Sequence, residues 1–275
     1  MSNYIISHFE GDMSNDTFTF FFQSLKTRCS GKVVFLSDYP GLRFAGYHLG
    51  DERLQGVDVS GLSSILPVES DGRLIAPCCR QYYYIREMIE SGQCNWSDKD
   101  RFFICDSRDV VFLGDIFSRV SITDKVRLYL EDARFMIRTN VTGGVWVRSQ
   151  GEHILSAIGH ERIICSGTMF IDGVSRLYEF IKSFTDLMTE CATKRGVRGV
   201  NDQGVMNEWV YYRGMRDSVT LVENNTDEVL TMALVDPKTY SLVGGYLVLE
   251  RGEQPSVLHQ YDRHITPRIV RALLK

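Results

Sequence analysis

Residues 102–117 read FFICDSRDVVFLGDIF, and Asp106, Ser107, Arg108 and Asp109 interrupt two apolar runs within this stretch. Unpaired charge between buried strands is costly, so two carboxylates and a guanidinium there need compensation. At the carboxyl end of a sheet strand, carboxylate oxygens suit a divalent cation such as Mg²⁺ or Mn²⁺ and the diphosphate it carries. An Asp–Arg ion pair confined to a turn is the plainer alternative. Three other segments carry polar groups in comparable settings. Ser166 and Gly167 interrupt the apolar run 163–172, where a ligand could approach the backbone closely. Asp202 and Gln203 stand at an expected helix start in NDQG, where the carboxylate would serve as an N-cap. SVLHQYDRH, residues 256–264, ends a strand in His259, Asp262, Arg263 and His264.

The elements that must position these residues follow from periodicity. YIISHF at 4–9 and VVFLS at 33–37 are short runs of β-branched and aromatic residues, which predicts buried strands. Between them Phe18, Phe21, Phe22 and Leu25 recur at helical spacing, with Ser14, Asn15 or Asp16 as the cap. A second helix follows Pro77 through Cys78, Tyr82, Ile85 and Ile89 and ends at Gly92. Its run Tyr82–Tyr84 reads as core plus helix surface. Strands are expected at 102–105 and 110–113. A third helix begins near Gly173 and runs through Val174, Leu177, Ile181, Phe184, Met188 and Cys191 to the basic loop Lys194–Gly196. Further strands are expected at 219–223, 229–235 and 242–249. The closing TPRIVRALLK is basic and amphipathic and is expected to pack on the body, with contact to a membrane surface or a partner as the alternative. The pattern is α/β, a mixed, mainly parallel sheet flanked by helices. No repeat or linker divides it, which predicts one domain over 1–275.

Composition narrows the classes of function. A 275-residue chain that is 44% hydrophobic has enough apolar surface for a large core, so disorder and fibrous repeats are excluded. The net charge of −4 disfavours dedicated nucleic-acid binding. No apolar run reaches the ~20 residues of a membrane helix, and the N-terminus lacks a basic, apolar leader pattern. The seven cysteines include no CxxC pair, so reduced thiols in a cytoplasmic protein are the expectation. Cys105 and Cys165 sit in apolar stretches as small hydrophobes. His8, His48, His153 and His160, each without a motif around it, receive no catalytic role.

In order and spacing, DSRDVVF, CSG, DQ and HQYDRH resemble signatures of glycosyltransferases of the GT-A fold. More distantly they are similar to the glycogenin-type transferases, whose pattern is DxD, NSG, DQ and a late His. The likeness spans roughly residues 4 to 264. It implies a nucleotide-binding half at about 1–115 and an acceptor half at about 116–275. Asp109 matches the metal-binding last carboxylate of DxD, and His259 the late metal-binding His. Ser107 stands where DxD has its first carboxylate, so Asp106 either binds metal in its place or holds the ribose. Arg80 resembles the arginine that reaches the nucleotide sugar. His8, Ser107, Ser166 and Gly167 join it as expected donor contacts. The lysine of the glycogenin pattern is missing, which leaves Arg263 or His264 to meet the diphosphate.

The resemblance implies sugar transfer from a nucleoside-diphosphate sugar, with UDP favoured only by its frequency in the fold. The acceptor would be a glycan or glycolipid, contacted by Gln203, and peripheral contact with a membrane is compatible. Asp202 is the carboxylate left for acceptor-side chemistry, and retention or inversion stays open. A sugar nucleotidyltransferase is a rival reading, although its Gly-rich basic loop is replaced here by the acidic SHFEGDMSND. A non-catalytic sugar-binding domain is the other.

Overall fold

Four parallel strands begin the sheet: β1 (Asn3–Phe9), β2 (Lys32–Ser37), β3 (Leu54–Asp58) and β4 (Arg101–Cys105). They are crossed by helices α1 (Asp16–Arg28) and α2 (Pro77–Glu90). The computed structural model describes residues 1–10, 16–37, 53–69 and 71–275; the expected caps Ser14 and Asn15, and also His48, lie outside the described residues. Pro77 occupies the first turn of α2, where its missing N–H leaves nothing unsatisfied. All three tyrosines 82–84 are buried, so none lies on the helix surface as expected. Their hydroxyls reach the Ser166 carbonyl, the Thr185 carbonyl and Glu10 Oε1 respectively.

After β4 the chain leaves the main sheet. β5 (Val110–Phe112) belongs to a second, three-stranded sheet. It returns as β6 (Val126–Leu130), which the apolar pattern did not reveal, and as β7 (Ile164–Asp172). Helices α3 (Val141–Gln150) and α4 (Glu152–Ile158), also unexpected, lie between them. β7 runs antiparallel to both β4 and β6, with a register shift against Leu128/Tyr129. Then come α5 (Val174–Thr189), α6 (Asp202–Asn207) and β8 (Val219–Val222). The seven-stranded order is β3-β2-β1-β4-β7-β6-β8. The sheet is thus mixed α/β and mostly parallel, as the sequence implies.

Period-two alternation assigns the two faces. Tyr4, Ile6, Val34, Leu36, Phe102 and Ile104 meet α2, α5 and α6. Ile5, Val33, Phe35, Phe103 and Cys105 meet Phe18, Phe21, Phe22 and Leu25 of α1 and the second sheet. That sheet has the order β5-β12-β9, from β9 (Val229–Thr231) and β12 (Val257–His259). β9 is therefore shorter than the expected 229–235. The expected strand 242–249 is instead a hairpin, β10 (Tyr240–Val243) and β11 (Tyr246–Leu249). Gly244 and Gly245 turn it at positive φ, which a side chain would disfavour. The basic C-terminal helix α7 (Pro267–Leu273) buries Val270 and Leu273 against Leu247 and Leu249, so its apolar face is spent on the body. Among the described residues no helix is long and apolar enough to cross a membrane.

At the end of the sheet opposite the motif carboxylates, Arg101 is buried. Its guanidinium donates to Asp172 at 2.8 Å and to the carbonyls of Phe117 and Val120 at 2.8 and 2.6 Å. Removing one partner of such a pair strands the other charge out of water. Arg101→Ala should lower unfolding stability by ~3–5 kcal/mol, measured by urea denaturation. Replacing both charges with apolar residues of similar volume should cost clearly less; equal losses would show that the pair is not what tethers β4 to β7.

Candidate active site

In the order β2-β1-β4 the chain moves outward from β1 on both sides. The crevice beyond the carboxyl ends of such strands is where open α/β sheets bind ligands. A cavity of about 230 Å³ opens there. It is lined by His8 and Phe9 at the end of β1 and Glu10 after it, by Cys78 and Gln81 of α2, and by Asp106 to Asp109 after β4.

The passage from β4 into β5 explains how DSRD is placed. Asp106 N donates to the Gly167 carbonyl at 2.9 Å, holding the turn against β7. Asp109 precedes β5, whose antiparallel partner β12 pairs His259 with Val110. Gln260, at φ +54°, donates its N–H to the Asp109 carbonyl at 2.7 Å. Two segments 150 positions apart in the chain are so brought together. His259 Nε2 lies 3.4 Å from Asp106 Oδ2 and 3.8 Å from Asp109 Oδ1.

One ligand atom from each of these residues lies within 4.8 Å of the others. His259 Nε2 is buried and makes no hydrogen bond. A buried nitrogen without a partner, beside two carboxylates, fits a divalent cation taking oxygen and imidazole ligands. Gly167 completes the fit. A Cβ there would meet the His259 ring at 2.4 Å and Asp106 Oδ2 at 2.6 Å. Behind the imidazole, Nδ1 is 3.3 Å from Cys165 Sγ, so this thiol, expected to be a simple hydrophobe, orients the ring.

Electrostatics in the cluster follow from burial and like charge. Burial pushes the Asp109 carboxyl up; His259 opposes this and Asp106 adds to it. For His259, burial works against the imidazolium, yet the surroundings hold its pKa well above the usual value. Burial also raises Cys165, which keeps it a neutral thiol, so the two carboxylates are what favour the proton on His259.

The remaining expected residues are distributed as follows. Asp202 is buried in the first turn of α6 but is not its cap; Asn201 caps the helix by accepting from Gly204 N. Burial and then Asp106 push the Asp202 carboxyl up to about 7, against hydrogen bonds from Ser166, Gln203 N–H and Cys78. Gln203 faces a second cavity of about 150 Å³ with Glu131, Trp146 and Arg263, and its amide donates to Glu131 Oε1 at 2.8 Å. Ser107 is buried, donating to the His8 carbonyl at 3.0 Å. Arg80 is held by Glu10 and by the Ile75 carbonyl rather than left free toward the cavity. Arg263 is exposed beside Asp262, and His264 lies near the Ala233 carbonyl, both outside the cation cluster.

Besides Cys165, two carboxylates escaped the sequence reading. Glu131 follows β6 and is buried in the Gln203 cavity, its carboxyl pushed up by burial against the Gln203 hydrogen bond. Glu10 follows β1 and gathers His8, Tyr84 and Arg80, which overcome burial and hold it at about 2. Acidic residues directly after an apolar strand were the available signal in both cases.

No family model and no curated protein sequence matches this chain. Solved structures do match in shape. The chain superposes on an active-site mutant of LgtC with a TM-score of 0.57 at 12% identity, covering 98% of this chain and 94% of that one. It superposes on the galactosyltransferase LgtC in complex with donor and acceptor sugar analogues at 0.53 and 12%, covering 98% and 95%. Against the bifunctional glycosyltransferase WbbM the TM-score is 0.60 at 11% identity, covering 99% of this chain and 49% of that one. The chain shares its fold with these solved glycosyltransferases.

Asp202 gives a pH-dependent test. Its folded pKa is raised, so the stability tied to its neutral form is full below the unfolded value near 4 and is lost as pH climbs through about 7. Asp202→Asn removes that loss and leaves the Asn201 cap intact. In chelator, the variant should gain on wild type from pH 4 to 8, by a few kcal/mol at the top (~1.4 per pKa unit). A stability difference flat with pH, read from denaturant melts, would contradict the shift.

Proposed function

We propose that the protein is a glycosyltransferase that moves a sugar from a nucleoside-diphosphate sugar to a hydroxyl of a glycan or glycolipid. The observation that carries this reading is the Asp106–Asp109–His259 cluster at the carboxyl end of β4, in a chain with a glycosyltransferase fold. Asp109, His259 and Asp106 would hold Mn²⁺ or Mg²⁺. Bound there, the ion supplies charge neutralisation to a departing diphosphate.

The chain's own residues divide the remaining work. The 230 Å³ cavity receives the nucleotide, with His8 and Ser107 along its wall and Gly167 packed against Asp106 and His259 behind it. Arg80 is pre-oriented by Glu10 and donates toward the donor only by sharing that carboxylate. Arg108, exposed on the rim, adds positive charge where the diphosphate leaves. In the reaction the bond from the anomeric carbon to diphosphate oxygen breaks, one to the acceptor oxygen forms, and the acceptor proton departs. Asp202 links residues of the two cavities, accepting hydrogen bonds from Cys78, which lines the first, and from the backbone N–H of Gln203, which lines the second. A carboxyl poised near 7 is matched to handling that proton at neutral pH. Gln203 and Glu131 would orient the acceptor. Arg263, in the same cavity, is better placed for the acceptor than for the diphosphate.

UDP should bind more tightly with Mn²⁺ than without, by calorimetry, and the difference should vanish in Asp109→Asn. Gly167→Ala should abolish it as well, because the new methyl occupies the space between His259 and Asp106. Turnover of a UDP-sugar, including slow hydrolysis without acceptor, should fall at least ~10²-fold in Asp202→Asn while UDP affinity stays. Wild-type turnover that survives exhaustive chelation would overturn the cation-dependent mechanism.

A further inference from the structure

Away from the cation cluster, a third cavity of about 510 Å³ is lined by Gln150, His153, Ile154, Glu190, Arg195, Tyr212 and Arg213. Three features set it apart from an ordinary surface dent. The first is an orphan polar atom: Gln150 is 3% exposed, and its Oε1 has no hydrogen-bond partner. Its Nε2 is occupied with Ser149 Oγ at 3.1 Å and the Trp146 carbonyl at 3.4 Å.

The second feature is a braced set of donors. Glu208 is fully buried and binds both arginines, at 2.7 and 3.0 Å to Arg195 and 3.0 Å to Arg213. Arg213 also reaches Glu190 at 2.6 Å, and Arg195 donates to the Gln150 carbonyl at 2.5 Å. Two guanidinium groups and two carboxylates are thus mutually neutralised. An ionic ligand would have to break one of these pairs, whereas a neutral polar ligand can use the N–H groups and oxygens that the pairs leave over.

The third feature is an exposed aromatic platform. The rings of Tyr212 and His153 meet edge to face at 5.8 Å and 71°. Tyr212 is 42% exposed. Gly151, at φ +147°, makes room for the imidazole: a Cβ there would lie 2.7 Å from His153 Cε1. The cavity is also where two π-helical turns meet, Glu190–Lys194 continuing α5 and Glu208–Tyr212 continuing α6. Such turns occur often at functional sites because they redirect side chains out of helical register.

An aromatic face beside paired donors and acceptors with no net charge suits a ligand whose own edges alternate in the same way. We propose that this cavity is a second carbohydrate-binding site, taking a neutral oligosaccharide. C–H groups of one pyranose ring would lie on the electron-rich Tyr212 face. Its hydroxyls would donate to Gln150 Oε1 and Glu190 and accept from Arg195 and Arg213. Tyr212 lies nine residues beyond Gln203 along α6 and its continuation, on the order of 13 Å at helical rise. The site is therefore separate from the cation cluster and stands whether or not that cluster transfers sugar.

Saturation-transfer NMR on the full chain, without nucleotide, tests the proposal with the neutral probes maltotriose, cellotriose and tri-N-acetylchitotriose. At least one trisaccharide should receive saturation. Tyr212→Ala should weaken its affinity about tenfold or more, as for a buried aromatic anchor, and Tyr212→Phe should restore it. Both substitutions are at an exposed ring, so the fold should hold, and UDP affinity serves as the control that it does. Asp109→Asn should leave trisaccharide binding unchanged, which separates this site from the proposed reaction centre. Three outcomes would each overturn the proposal: no saturation of any trisaccharide, binding indifferent to Tyr212→Ala, or inorganic phosphate competing the trisaccharide away.

Discussion

Asp106 and Asp109 repel one another, one of them in a nearly dry position, and the architecture around them is what allows that repulsion to persist. Desolvation and like charge both push toward protonation, as the raised Asp109 carboxyl shows. Only positive charge brought to the same point relieves both. His259 provides it in the protonated form, and a divalent cation would provide more. The cluster is therefore built to accept charge, and its buried, unpartnered Nε2 is the mark of that.

Meeting this constraint dictates much of the topology. β4 delivers Asp106 from the main sheet and β5 carries Asp109 into the second one. β12 then returns from the far end of the chain to lay His259 beside both. The second sheet is needed for more than packing, since without β12 against β5 the imidazole has no reason to be there. Gly167 is required because β7 passes directly beneath the cluster, and a side chain would fill it. Cys165, on the same strand, sets the ring from behind. The same principle recurs at lower stakes elsewhere. Glu10, half-buried, gathers Arg80, Tyr84 and His8, and the buried Glu208 gathers Arg195 and Arg213, each carboxylate organising its neighbours.

Legibility in the sequence tracked how local the deciding forces were. The strands YIISHF and VVFLS and the helix after Pro77 were readable because apolar spacing and a proline mark them directly. β3, with little buried surface, and α3, whose glycines dilute its apolar face, carried no such mark. Val110–Phe112 read correctly as a strand, yet nothing local says that it pairs outside the main sheet. Asp202 read correctly as opening a helix; that Asn201 takes the cap and frees the carboxyl to be buried depends on packing against β7. Glu131 and Cys165 were invisible as site residues because their partners, Gln203 and His259, are distant in the chain. His153, with no motif around it, gains its setting only from Gly151 and Tyr212.

The central claim is that His259 and the motif carboxylates form one cation site. Electron paramagnetic resonance of protein-bound Mn²⁺ reads its ligands directly. The account predicts a stoichiometric site whose spectrum carries coupling to one imidazole nitrogen, lost in His259→Ala and retained in His8→Ala. Mn²⁺ that binds without nitrogen coupling, or binds equally well in His259→Ala, would contradict it.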